Sequence, residues 1–68
     1  MSKLISDNIK KQLEEQERSY SWLGRKIGTS GADISKLLAN LEKGGTVTVD
    51  KLEKIAEALG TDITKLLK

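Results

Sequence analysis

With 68 residues and no cysteine, histidine or proline, the chain is one small domain, residues 1–68, held by packing alone. A fold of this size buries only about 60% of the surface its unfolded chain exposes, and neither a disulfide nor a thiolate or imidazole metal site can reinforce it. A net charge of +2 is too small to imply an anionic partner by itself. No apolar run approaches the roughly 20 residues that span a bilayer, and the first residues lack the order of a signal peptide, so the expectation is a cytoplasmic protein with no membrane partner. A composition rich in leucine, isoleucine, lysine and glutamate, without phenylalanine, predicts an all-α fold.

Leu4, Ile5, Ile9 and Leu13 form an apolar stripe at helical spacing and predict a first helix over about residues 4–17, with Ser2 or Ser6 as its cap. The run Glu14 to Arg18 ends the stripe. Acids at that end oppose the helix dipole, which leaves it frayed or held by Arg18. Ser19 caps a second helix, Tyr20 to Ile27, whose inward residues are Leu23 and Ile27. Trp22 falls beside that face and has two readings, a ring lying over the apolar side of the first helix or an aromatic turned to a partner.

Gly28 follows Ile27 at once, and a second apolar face begins at Ile34, Leu37 and Leu38 after a short polar gap. Such spacing predicts two short helices hinged at a glycine: Gly28 accepts positive φ in the turn, and Gly24 is small where the helices cross. Thr29 or Ser30 caps the third helix, Asp33 lies in its first turn, and Leu41 extends its face to an end near Glu42, with Gly44 or Gly45 as a left-handed stop. Thr48 then caps a fourth helix bearing Val49, Leu52, Ile55, Ala56 and Leu59, which Gly60 ends. Asp62 caps a short last helix bearing Ile63, Leu66 and Leu67.

The charge is uneven along this order. Residues 18–36 carry Arg18, Arg25, Lys26 and Lys36 against Asp33 alone, a net +3, while residues 1–17 sum to −1 and residues 37–45 and 46–68 each to zero. The basic excess therefore coincides with the hinged pair. The acids lie on polar faces or caps with no apolar pocket to raise a pKa, so no catalytic site is expected. The glycines lack the strand and the Lys-Ser/Thr pair of a phosphate loop, and the carboxylates lack EF-hand spacing, so neither a cofactor, a metal nor a small-molecule substrate is expected.

The stretch from Tyr20 to Leu38 resembles the helix-turn-helix domains of phage repressor and Cro proteins, the Cro/C1 or XRE type. The resemblance extends through the LEKIAEALG run, Leu52 to Gly60, and the ITKLL ending. It implies a compact five-helix lambda-repressor-like bundle, double-stranded DNA as partner and the third helix as reader. The implied base-contacting residues are Ser30, Gly31, Ala32, Ser35 and Lys36; the implied phosphate contacts are Ser19, Tyr20, Lys43, Gly44, Gly45 and Thr46. A major groove about 12 Å wide admits one α-helix, and Lys36 suits guanine O6 or N7. Against the family, the third helix is about one turn longer, and the positions of Tyr20, Gly31 and Ala32 often carry glutamine or another long polar side chain. Two readings follow: a sequence-specific transcriptional regulator, or a protein-interaction domain on the same fold, such as an anti-repressor or assembly adaptor. Ile63, Leu66 and Leu67 either seal the core or form the contact of a weak homodimer that pairs on a two-fold operator.

Overall fold

In the computed structural model, which describes residues 2–68, five α-helices and no strand are found among those residues: α1 (Ser2–Glu15), α2 (Tyr20–Lys26), α3 (Gly31–Glu42), α4 (Val49–Ala58) and α5 (Ile63–Leu67). The fold is all-α. Three helices start on a hydroxyl that accepts an orphan backbone N–H: Ser19 from Trp22 at 3.0 Å, Ser30 from Asp33 at 3.2 Å and Thr48 from Lys51 at 3.2 Å. Asp62 occupies the cap position of α5, but its side chain makes no cap hydrogen bond.

Four helices end in the same way. After α2, Thr29 N–H donates to the Gly24 carbonyl (2.7 Å) and Gly28 N–H to that of Arg25 (3.4 Å), around Gly28 at φ +82°. After α3, Gly45 donates to Asn40 (2.8 Å) and Gly44, at φ +89°, to Leu41 (3.1 Å); after α4, Thr61 donates to Ala56 (3.0 Å) and Gly60, at φ +71°, to Glu57 (3.1 Å). This double bond across a left-handed residue is the Schellman motif, and glycine enters it without a Cβ clash. The end of α1 repeats it with Glu17 at φ +55° in the glycine's place, Arg18 N–H donating to Leu13 (2.9 Å) and Glu17 N–H to Glu14 (3.1 Å). The Arg18 backbone, not its side chain, therefore closes α1, and Gln16 Nε2 adds a bond to the Leu59 carbonyl at 2.8 Å.

That closure corrects the expected span of α1, which runs 2–15 rather than 4–17. Ser6 is no cap either: it is buried inside the helix and donates to the Leu38 carbonyl of α3 at 3.3 Å. Ile5, Ile9 and Leu13 line the buried face, whereas Leu4 is 38% exposed. They meet Leu23 of α2, Ile34, Leu38 and Leu41 of α3, Leu52, Ile55 and Ala56 of α4, then Leu59 and Leu66, in one core. Val49, placed by its spacing on the inner face of α4, stands 63% exposed at the first turn. α3 lies between α1 and α2, and α5 closes the bundle against α1 and α4. Asn8 Nδ2 donates to the Leu66 carbonyl at 2.9 Å, tying α5 to α1.

Trp22 is half-buried against the edge of the core. Its ring carries the Arg18 guanidinium, 4.7 Å from the centroid, and the Lys26 ammonium at 5.9 Å, so cations occupy the aromatic instead of leaving it bare to a partner.

Candidate nucleic-acid interface

The α2–α3 pair is set by two close approaches. A Cβ on Gly24 would lie 2.4 Å from the Ser30 carbonyl carbon and 2.9 Å from Gly31 N, so the backbones touch where the helices cross. A Cβ on Gly31 would lie 2.7 Å from Ser21 Oγ and 2.9 Å from Ser21 N, which closes the same crossing from the other side. Gly28 has open space around it and serves through its positive φ alone. With α2 held against its start, α3 buries one row of side chains, Ile34, Leu38 and Leu41, at 1% exposure each. The opposite row, Ala32, Ser35 and Lys36, stands in solvent beside Ser30. An exposed helix carried on a second helix, with nothing of its own domain covering the outer row, is the arrangement that enters a major groove.

A family model described as the Cro/C1-type HTH DNA-binding domain matches residues 8–68. The chain belongs to the Cro/C1-type helix-turn-helix family. No curated protein and no solved structure gives a significant match. As a Cro/C1-type domain it is a DNA-binding regulator, and α2, Gly28 and α3 are its helix-turn-helix.

Within this Cro/C1-type domain, the residues named from the sequence fall into two groups. Ser30, Ala32, Ser35 and Lys36 share the open side of α3, and Gly31 at its first turn is half-buried by Ser21. Ser19 is exposed, and because its oxygen accepts from Trp22, its O–H is free to donate. Tyr20 is partly buried, packed against the core. Lys43 and Thr46 are exposed on the α3–α4 loop, where Gly44 makes the left-handed stop and Gly45 lies under the Asn40 side chain.

Electrostatics add one residue that the sequence did not single out. The Asp33 carboxyl is held below its ordinary value, first by the Thr29 hydroxyl that donates to it, then by Ser30, and further by the charges of Lys36 and Lys51. Lys51, in the first turn of α4, thus acts on the start of α3. The zero charge sum over residues 46–68 concealed it, and only the packing of α4 brings it there. At the far end of α3, Glu42 pairs with Lys10 of α1 at 2.6 Å and holds that lysine above its ordinary value through the hydrogen bond first and the charge second.

The C-terminal residues divide. Leu66 is fully buried in its own domain, so it has no surface to offer a second copy. Leu67 is 39% exposed and, with Ile63, Val47, Val49, Ile5 and Leu41, lines an apolar groove of about 250 Å³. Among the described residues no helix is long and apolar enough to cross a membrane, and no group of acids is placed to hold a metal ion.

Proposed function

We propose that the chain is a sequence-specific regulator of the phage repressor or Cro type, with α3 in the major groove. The observation that carries this is the division of α3 into a wholly buried row and an open polar row ending in Lys36. In this reading Lys36 donates to a guanine edge, Ser30 and Ser35 contribute hydroxyls, and Ala32 meets a thymine methyl. Gly31 contributes close backbone approach. Ser19, Tyr20, Lys43, Gly44, Gly45 and Thr46 contact phosphates on either side, with Lys51 joining them. Few long side chains face the bases, so shape and deformability of the duplex supply part of the preference. A gel-shift series against random duplexes at low and moderate salt tests it: enrichment of one sequence supports it, and equal binding of all duplexes, or none, overturns it.

The size of the domain supports the dimer. The domain measures 24 Å in its longest direction, and successive major grooves on one face of the duplex are about 34 Å apart, so a two-fold operator takes two copies. Val49, Ile63 and Leu67 support the contact, with the groove between them receiving part of the mate; the buried Leu66 has no part in it. Sedimentation with one full operator should show two chains per duplex. Leu67→Asp should reduce that to one while the domain stays folded, and unchanged stoichiometry sinks the two-fold arrangement.

One observation favours the second reading, a protein-interaction domain. Gly31 stands where related domains often carry a long polar side chain, and its fit against Ser21 excludes one. An anti-repressor or adaptor would leave no duplex enriched in the same gel-shift series.

A further inference from the structure

We propose that Asn40, in the last turn of α3, reads an adenine in the major groove, with its amide oriented for that task by Gly45. The inference rests on the regulator reading and adds a residue to it. Asn40 is exposed and follows Lys36 by four residues, one turn further along the same side of α3. Its amide has a defined seat. A Cβ on Gly45 would lie 2.5 Å from both Cγ and Oδ1 of Asn40 and slightly closer to Nδ2. A point at that range and nearly equidistant from three atoms of a planar group lies above their plane, so the amide rests face-on against Gly45, and a glycine leaves the room for it. The backbone fixes the same pair, since Gly45 N–H donates to the Asn40 carbonyl at 2.8 Å. The edges of the amide stay free: the side-chain hydrogen bonds of the described residues join other groups, and neither Nδ2 nor Oδ1 of Asn40 takes part in one.

A free edge that offers a donor and an acceptor side by side selects its partner. Adenine presents its N7 acceptor and N6 amino donor together in the major groove and takes an asparagine amide through two bonds. A phosphate only accepts, and would leave Oδ1 unused. Asparagine is short, and the exposed Ala32 and Ala39 are small enough to let α3 come close to the base edges. Because Gly45 already holds the amide in one plane, less side-chain freedom is lost on binding. Four residues of helix rise about 6 Å, close to two base-pair steps of about 3.4 Å, so the adenine lies about two pairs beyond the base met by Lys36.

The test is selection of bound duplexes from a random pool by the full chain and by its Asn40→Ala and Gly45→Ala variants, followed by affinity on the selected duplex with 7-deazaadenine, which lacks the N7 acceptor, at the assigned pair. Asn40→Ala should relax preference at one A·T pair and lose about fivefold or more on the selected duplex. The wild type should lose several-fold on the 7-deazaadenine duplex, and Asn40→Ala should lose nothing further. Gly45→Ala should relax the same pair, because the new Cβ displaces the amide. Both variants should melt like the wild type, since an exposed, flexible side chain is all that is removed or moved. The proposal is overturned if either variant keeps the wild-type preference at every pair, or if Asn40→Ala weakens all duplexes alike, which would make Asn40 a phosphate contact. The regulator reading fails separately: a wild-type pool without enrichment overturns both, whereas an enriched sequence unaltered by Asn40→Ala overturns this inference and leaves that reading standing.

Discussion

Glu17 is a glutamate in a glycine's seat. At φ +55° its Cβ crowds the following carbonyl, a cost of about 1–2 kcal/mol for an L-residue in the left-handed region, offset by about 0.4–1 kcal/mol because glycine would have more freedom to lose on folding. Glu17→Gly should therefore stabilise the domain by about 0.5–1 kcal/mol, read as a rise of roughly 2–8 °C in melting temperature. The reverse change at the matching position, Gly28→Ala, should lower it by a similar amount, since open space surrounds Gly28 and only its φ of +82° resists the substitution. A melting temperature unmoved by either variant would contradict the turn geometry. Chain composition alone conceals this: glycine marks three of the four stops, and a charged residue at the fourth carries no local sign of positive φ.

At the level of the helices, caps and stops were legible because they depend on a few neighbouring residues. Ser19, Ser30 and Thr48 accept the expected N–H groups, and α3 ends at Glu42 before Gly44. The faces of helix ends were less so. Leu4 and Ile5 both fit the α1 stripe, and only the position of α3 over Ser6 decides that Ile5 turns inward; likewise Val49 fits the period of α4 but precedes the turn at which the helix meets the core. In the interface, the open row of α3 was readable from its polar gap, whereas the seat of Gly31 on Ser21 and the approach of Lys51 depend on tertiary packing. The Thr29–Asp33 contact belongs to this scale too. Because the folded protein holds Asp33 below its ordinary value, its contribution to stability is present above that value and is lost as pH falls through the lowered one. Asp33→Asn should thus flatten the acid limb of a melting-temperature profile, while Lys10→Gln, removing a group held above its ordinary value, should flatten the alkaline limb. Parallel wild-type and variant profiles would contradict both assignments.

Across the whole molecule, two lysines proposed to meet the duplex, Lys36 on α3 and Lys43 just after it, should be separable. If Lys36 reads a base, Lys36→Ala costs about 1–3 kcal/mol on the preferred duplex and relaxes preference at one position; Lys43→Ala, removing a phosphate contact, weakens all duplexes alike and lowers the salt slope by about one unit. Identical losses from the two variants in salt-titrated gel shifts would remove the case for α3 as reader. The four Schellman stops have a further consequence, for the kinetics of folding. Every joint from α1 to α5 is closed by bonds between residues no more than five apart, so the chain bends into its final order without first closing long loops, the condition for rapid folding. With no proline there is no slow isomerisation to wait for. The single tryptophan, Trp22, lies at the edge of the core and reports the event: temperature-jump refolding should show one fluorescence phase in microseconds to milliseconds, and a phase lasting seconds would mean that the joints do not form on their own.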